Sequence, residues 1–61
     1  MKYSEVERKL KKHGCYHVGG GDHPVWFSPI TEMEFYLSNH QSEEVKFGTL
    51  KKISKASGVK L

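Results

Sequence analysis

The chain has 61 residues, of which 36% are hydrophobic and 11% aromatic. A domain near this size buries only about 60% of its unfolded surface, so we expect one small domain, residues 1–61, without room for a second core. Ten Lys and Arg against seven Asp and Glu leave a net charge of +3, which permits nucleic-acid binding without requiring it. The one cysteine excludes an internal disulfide and favours a reducing, cytoplasmic setting. No apolar run is long enough to cross a bilayer, so we expect no membrane association.

The first predicted element is an amphipathic helix over residues 4–13. Ser4 and Glu7 have the spacing of a capping box, which would satisfy two free backbone N–H groups at the start of a helix. Gly14 follows a cationic last turn and would close the helix in a left-handed conformation. At 100° per residue one stripe of the helix faces the core, and it contains Tyr3, Val6, Leu10 and His13. His13 is accordingly interpreted as a packing residue.

Three short strands are predicted next, at residues 15–18, 25–28 and 32–38. The first two are aromatic and β-branched, and a glycine run separates them. Residues 28–31 contain a Ser-Pro pair typical of a reversing turn. The third strand alternates and places Met33, Phe35 and Leu37 on its apolar face.

A second helix is predicted over residues 47–57, with Gly58 closing it. Its apolar stripe consists of Leu50, Ile53 and Ala56, and its exposed face carries Lys51, Lys52 and Lys55. Three antiparallel strands with one apolar face need a cover, which two amphipathic helices supply. We therefore predict an α+β fold of two layers in the order α-β-β-β-α.

The stretch Gly19-Gly20-Gly21-Asp22-His23 is the strongest candidate for chemistry. Consecutive glycines allow a tight, irregular turn, and their backbone N–H groups can face an anion such as phosphate. Histidine exchanges a proton near neutral pH, which suits general acid–base catalysis. The alternative is that residues 19–23 form only a flexible turn.

Four short stretches occur together in this basic chain. They are Lys2-Tyr3-Ser4-Glu5 with Leu10-Lys11-Lys12-His13-Gly14; Gly21-Asp22-His23; Trp26-Phe27-Ser28-Pro29; and Gly48-Thr49-Leu50-Lys51-Lys52-Ile53. In this order they resemble the HicA family of toxins, small ribonucleases of toxin–antitoxin pairs. Each motif alone is weak, but the resemblance covers nearly the whole chain.

The resemblance implies a double-stranded-RNA-binding-like fold and cleavage of mRNA. By matching motifs, His23 becomes the catalytic histidine, and a HicB-type antitoxin is expected to cover the active site. The free toxin is expected to be monomeric. Two residues depart from the family pattern: Asp22 replaces a small residue beside the histidine, and Cys15 stands where Phe is common. Asp22 would favour the charged form of His23 or repel RNA phosphates, so it bears directly on the catalytic rate.

RNA cleavage can use the substrate's own 2′-hydroxyl as nucleophile, so the protein needs proton transfer and charge stabilisation rather than a metal. We predict no metal and no cofactor; His13, Cys15 and His17 also lack the spacing of a zinc finger. A second proton carrier is left open among His17, His40 and a lysine of the second helix. His40 itself is interpreted as a solvated or RNA-contacting residue.

The leading hypothesis is an endoribonuclease in which His23 is the general acid or base and Gly20 and Gly21 hold the phosphate. Lys51, Lys52 and Lys55 would dock single-stranded RNA, although each is equally well explained as a solvated lysine. Trp26 and Tyr36 could stack on bases but are interpreted as packing in the core or at a partner interface. The alternatives are a non-catalytic RNA-binding module of the same fold and a protein-interaction domain that binds an acidic antitoxin.

Overall fold

The computed structural model describes residues 1–21 and 23–61, and Asp22 lies outside the described residues. Two helices flank three strands along the chain: α1 (Tyr3–Lys12), β1 (Tyr16–Gly19), β2 (Val25–Ser28), β3 (Met33–Tyr36) and α2 (Phe47–Ser57). The α-β-β-β-α order and the α+β class are both confirmed.

The strands form an antiparallel sheet in the order β1-β2-β3. Trp26 in the central strand lies opposite His17 on one side and Phe35 on the other. Directly opposed residues share a face of the sheet, so Trp26 and Phe35 both point toward the helices, where both are buried. Tyr16 and Tyr36 occupy the other face, and each is more than half exposed.

The core lies between the helix layer and the inner face of the sheet. One cluster of buried residues joins both helices, β2, β3 and the segments beside them: Val6, Leu10, Cys15, Trp26, Phe35, Leu37, Val45, Ile53 and Val59. Leu50 and Ala56 of α2 pack against this cluster while remaining partly exposed. The apolar stripes predicted for the two helices therefore face the core, with the exception of His13, which is exposed.

The start of α1 differs from the predicted capping box. Lys2, rather than Ser4, precedes the helix, and its backbone N–H donates to Glu5 Oε1 at 3.3 Å. The backbone N–H of Ser4 instead donates to the carbonyl oxygen of Gln41 at 3.1 Å. A distant loop thus satisfies a helix-start donor that the sequence assigned to a local side chain. At the other end, Gly14 has φ +92°, as predicted for the closing residue.

The strand boundaries shift by a few residues from those predicted. Cys15 precedes β1 because its N–H donates to the carbonyl oxygen of Leu10 at 2.9 Å and so completes the end of α1. Strand β3 is shorter than predicted, since Glu32 has φ +57° and belongs to the preceding turn. Met33 on the apolar face is 52% exposed, because it lies at the end of the sheet beyond the buried cluster. Strand β2 and helix α2 have the predicted bounds.

Within residues 1–21 and 23–61, neither helix has the length and hydropathy needed to cross a membrane.

Candidate functional site

A hollow of about 320 Å³ opens at one end of the sheet, where β3 finishes and β2 begins. Two histidines line it together with the end of β3 and the polar residues that follow: His23, Tyr36, Leu37, Ser38, Asn39 and His40. Both histidines are exposed. Two imidazole side chains therefore line one open space that is large enough for part of a nucleotide.

The main chain of His23 lies between a close approach to Gly20 and a hydrogen bond at Pro24. Gly20 has φ +90°, and a Cβ built on it would overlap the carbonyl oxygen of His23 and lie 3.0 Å from the backbone nitrogen of Val25. Beyond His23, the carbonyl oxygen of Pro24 accepts the N–H of Leu37 at 3.0 Å. The second contact extends the pairing of β2 with β3 by one hydrogen bond, so the histidine leads directly into the sheet.

Gly20 and Gly21, both predicted to hold phosphate, differ in their surroundings. Gly20 is packed under the main chain of His23, whereas a Cβ on Gly21 would meet no described atom within 4 Å. Both glycines are exposed. The interpretation of Asp22 as a charge beside His23 falls on the residue outside the described part of the chain.

His40 lies in a loop that is fixed to the start of α1. Its N–H donates to Ser38 Oγ at 3.2 Å, and its carbonyl oxygen accepts the N–H of Glu43 at 3.0 Å. Immediately after it, the carbonyl oxygens of Gln41 and Glu43 accept the N–H groups of Ser4 and Tyr3, each at 3.1 Å. Backbone N–H groups at the start of α1, which have no acceptor within the helix, thus anchor this loop and place His40 at the same hollow as His23.

His17 occupies a different position. It packs edge-on against Trp26, with ring centroids 6.0 Å apart, and lines a neighbouring hollow of about 300 Å³ with Glu7 and Lys11. Asn39 lines both this hollow and the one that holds His23. Of the two histidines proposed as the second proton carrier, His40 is therefore the one that shares a hollow with His23.

The three lysines of α2 divide between two further hollows. Lys51 and Lys55 line one of about 420 Å³ beside Leu50 and Leu61, and Lys51 Nζ lies 4.7 Å from the centroid of the Phe47 ring. Lys52 lines another, of about 280 Å³, which Tyr36 also lines. No lysine is among the described residues that line the hollow of His23 and His40, so any contact of the α2 lysines with RNA would be made outside that hollow.

The two aromatic residues considered for base stacking have opposite environments. Trp26 is 3% exposed and packs in the core, as predicted, whereas Tyr36 is 71% exposed. The core position predicted for Tyr36 is therefore wrong, because the register of β3 places it opposite Val25 on the sheet face that the helices leave open, while its place at a partner interface stays a prediction.

Candidate metal ligands are dispersed in the part of the chain that the structure describes, where no group of three His, Cys, Asp or Glu side chains has the arrangement of a metal site. Cys15 is 3% exposed and belongs to the core.

The sequence did not point to Ser38 or Asn39 as site residues, and it left His40 open between a second proton carrier and a solvated or RNA-contacting residue. The signal for them was present, since a polar run begins at Ser38, the last residue of the most regular predicted strand, and continues through Asn39 and His40. Residues at a strand end are brought to the rim of a sheet, where they meet the turns of neighbouring strands. What the sequence could not show was which turn they would meet.

Comparison with models of known protein families gives a match over most of the chain. Searches of curated proteins and of solved structures gave no significant match. A family model described as the HicA toxin of bacterial toxin–antitoxin systems matches residues 3–59, nearly the full length of the chain. The match spans both helices, all three strands and the hollow that holds His23 and His40. The chain therefore belongs to the HicA toxin family.

Proposed function

We propose that this toxin is an endoribonuclease that cleaves mRNA, with His23 as its general acid or base. One observation carries the proposal: His23 shares a hollow of about 320 Å³ with a second histidine, His40. General acid–base catalysis of phosphodiester cleavage needs one group that takes a proton and one that gives a proton. Two imidazoles at one hollow supply both from the protein alone.

The proposed reaction is a transfer within the RNA chain. One imidazole removes the proton of a 2′-hydroxyl, and the 2′-oxygen attacks the adjacent phosphorus. The bond from phosphorus to the 5′-oxygen breaks, and that oxygen takes a proton from the other imidazole. The products are a 2′,3′-cyclic phosphate and a 5′-hydroxyl, so no metal is required. His23 and His40 are assigned to the two proton transfers.

Binding of the phosphate is assigned to the glycine turn and the basic helix. Backbone N–H groups at Gly20 and Gly21 would face the developing negative charge. Lys51, Lys52 and Lys55, all exposed on α2, would attract the RNA backbone. In-line attack needs an RNA backbone that is free to rotate, so we assign single-stranded RNA as the substrate. The fold that binds it is assigned to the double-stranded-RNA-binding-like type, and the reaction to the cytoplasm.

Membership of a toxin–antitoxin family implies a neutralising partner. We assign this partner to the HicB type and propose that it covers the hollow lined by His23 and His40. A partner bound there would block access of RNA to both histidines at once. The free toxin would then be an active monomer.

The test is cleavage of an unstructured oligoribonucleotide in EDTA by the purified protein and three histidine variants. His23→Ala should lower the rate by at least about 10²-fold, the lower end of what a positioned acid or base contributes. His40→Ala should also lower it by about 10²-fold. His17→Ala is the matched control, because His17 is an exposed histidine that lines a different hollow.

Three results would contradict the proposal in different ways. Undiminished cleavage by His23→Ala would remove its catalytic assignment. Cleavage of an all-deoxy oligonucleotide at the same rate would exclude the 2′-hydroxyl as nucleophile. RNA binding without cleavage by the unmodified protein would instead identify a non-catalytic RNA-binding module.

A further inference from the structure

Tyr36 is an exposed aromatic side chain without a role in the core. It is 71% exposed, although an aromatic residue of a 61-residue protein would be expected to contribute to the core. Its neighbour in β3, Phe35, is 7% exposed and supplies the packing at this point of the strand. The fold therefore leaves the Tyr36 ring available for a ligand.

Tyr36 lies between the two histidines and a cation. It lines the hollow of about 320 Å³ with His23 and His40, and it lines the adjacent hollow of about 280 Å³ with Lys52. Its cross-strand partner is Val25, two residues after His23. Along the edge of the sheet, the two histidines are thus followed by the Tyr36 ring and then by the Lys52 ammonium group.

The same order of groups would suit a single strand of RNA. A phosphate placed at the histidines and another near Lys52 would leave an intervening base beside the Tyr36 ring. Bases of unpaired RNA stack on aromatic side chains, and lysines follow the backbone on either side. Glu34 is exposed on the same sheet face as Tyr36, two residues back, so its charge disfavours a strand that crosses the open face. The path toward Lys52 leads instead to a cation that lines a hollow with Tyr36.

We propose that Tyr36 is a stacking platform for one base of single-stranded RNA whose backbone runs from the histidine hollow to Lys52. The proposal rests on the endoribonuclease function proposed above and adds a substrate subsite to it. It also separates the lysines of α2: Lys52 contacts the bound strand, whereas Lys51 and Lys55 line another hollow and contribute only long-range attraction.

The experiment measures binding rather than cleavage. A fluorescently labelled, unstructured oligoribonucleotide with 2′-O-methyl groups at every position cannot supply a nucleophile, so its affinity is measured by anisotropy with the full chain. Tyr36→Ala should weaken binding at least about fivefold, while Tyr36→Phe, which keeps the ring, should stay within about twofold of the unmodified protein. Lys52→Ala should weaken binding and reduce its dependence on salt, in contrast to Lys51→Ala.

Tyr16→Ala is the matched control, because Tyr16 is also an exposed tyrosine on the open face, at 51%, but packs beside Phe27 away from the hollow. Circular dichroism of each variant confirms that it is folded. Unchanged affinity of folded Tyr36→Ala would overturn the subsite, and so would an equal loss in Tyr16→Ala. Neither result bears on His23, whose role is decided by cleavage, so the two proposals fail separately.

Discussion

At the scale of single residues, the position of His23 depends on a neighbour that has no side chain. Gly20 has φ +90°, and a Cβ built on it would overlap the carbonyl oxygen of His23. Any other residue there would meet both a strained backbone conformation and an overlap with main-chain atoms. Gly21, one residue later, has neither constraint. Two adjacent glycines of similar exposure therefore contribute differently to the site.

We expect Gly20→Ala to lower cleavage by about 10²-fold, since a displacement near 1 Å of a reacting group has a cost of that order. The left-handed conformation should also reduce the free energy of unfolding by about 1–2 kcal/mol, with a further loss from the overlap with the carbonyl oxygen of His23. Gly21→Ala is the control and should change both quantities little. Cleavage rates and urea unfolding of the two variants are the measurements. Equal activity of the two would show that the turn can move without displacing His23.

At the scale of helices and strands, local signals predicted the elements that are stabilised locally. Helix α2 and strand β2 have the predicted bounds, because a left-handed glycine closes α2 and Ser28-Pro29 ends β2. The capping box predicted at the start of α1 was wrong, because the first backbone N–H groups of the helix pair with the loop that follows β3, about 40 residues away in the chain. A capping box describes only neighbours in sequence, so it could not reveal this pairing.

The end of α2 offers a test of that local signal. Gly58 has φ +73°, and a Cβ built on it would lie 2.8 Å from Ile30 Cγ2 and 3.0 Å from Thr31 Cγ2. Gly58→Ala should therefore lower the free energy of unfolding by about 1–2 kcal/mol from backbone strain alone, with a further loss from the two close contacts. Urea denaturation followed by circular dichroism measures the change.

Gly48, in the same helix, is a position where alanine should raise the free energy of unfolding. It lies in α2, has no atom within 4 Å of a Cβ built on it among the described residues, and does not require φ > 0. Gly48→Ala should raise the free energy of unfolding by up to about 1 kcal/mol, because alanine loses less conformational entropy in a helix. Destabilisation by both substitutions would mean that α2 is not the regular helix described above.

At the scale of the whole molecule, the site is built from segments far apart in sequence. The glycine run and the family resemblance predict His23 as the catalytic residue, and that role stays a prediction. His40 and Tyr36 could not be placed beside it, because their positions depend on the register of β2 with β3 and on the loop anchored to α1. Side-chain type and spacing carry no information on such pairings. The same dependence makes the site sensitive to the stability of the fold.

Leu10 tests that sensitivity, because it is fully buried and joins α1 to the shared core. Leu10→Ala should lower the free energy of unfolding by about 2–5 kcal/mol. A 61-residue protein has a total of only about 3–9 kcal/mol at the usual stability per residue, so the substitution removes a substantial share of it and raises the unfolded fraction at 37 °C. Urea denaturation at 25 °C measures the loss, and the free energy of unfolding of the control Lys9→Ala, an exposed neighbour, should stay within about 0.5 kcal/mol of the unmodified protein.

Cleavage by Leu10→Ala should fall with the folded fraction as temperature rises, since α1 holds the loop of His40. Full activity of an unfolded variant would contradict a site assembled in this way.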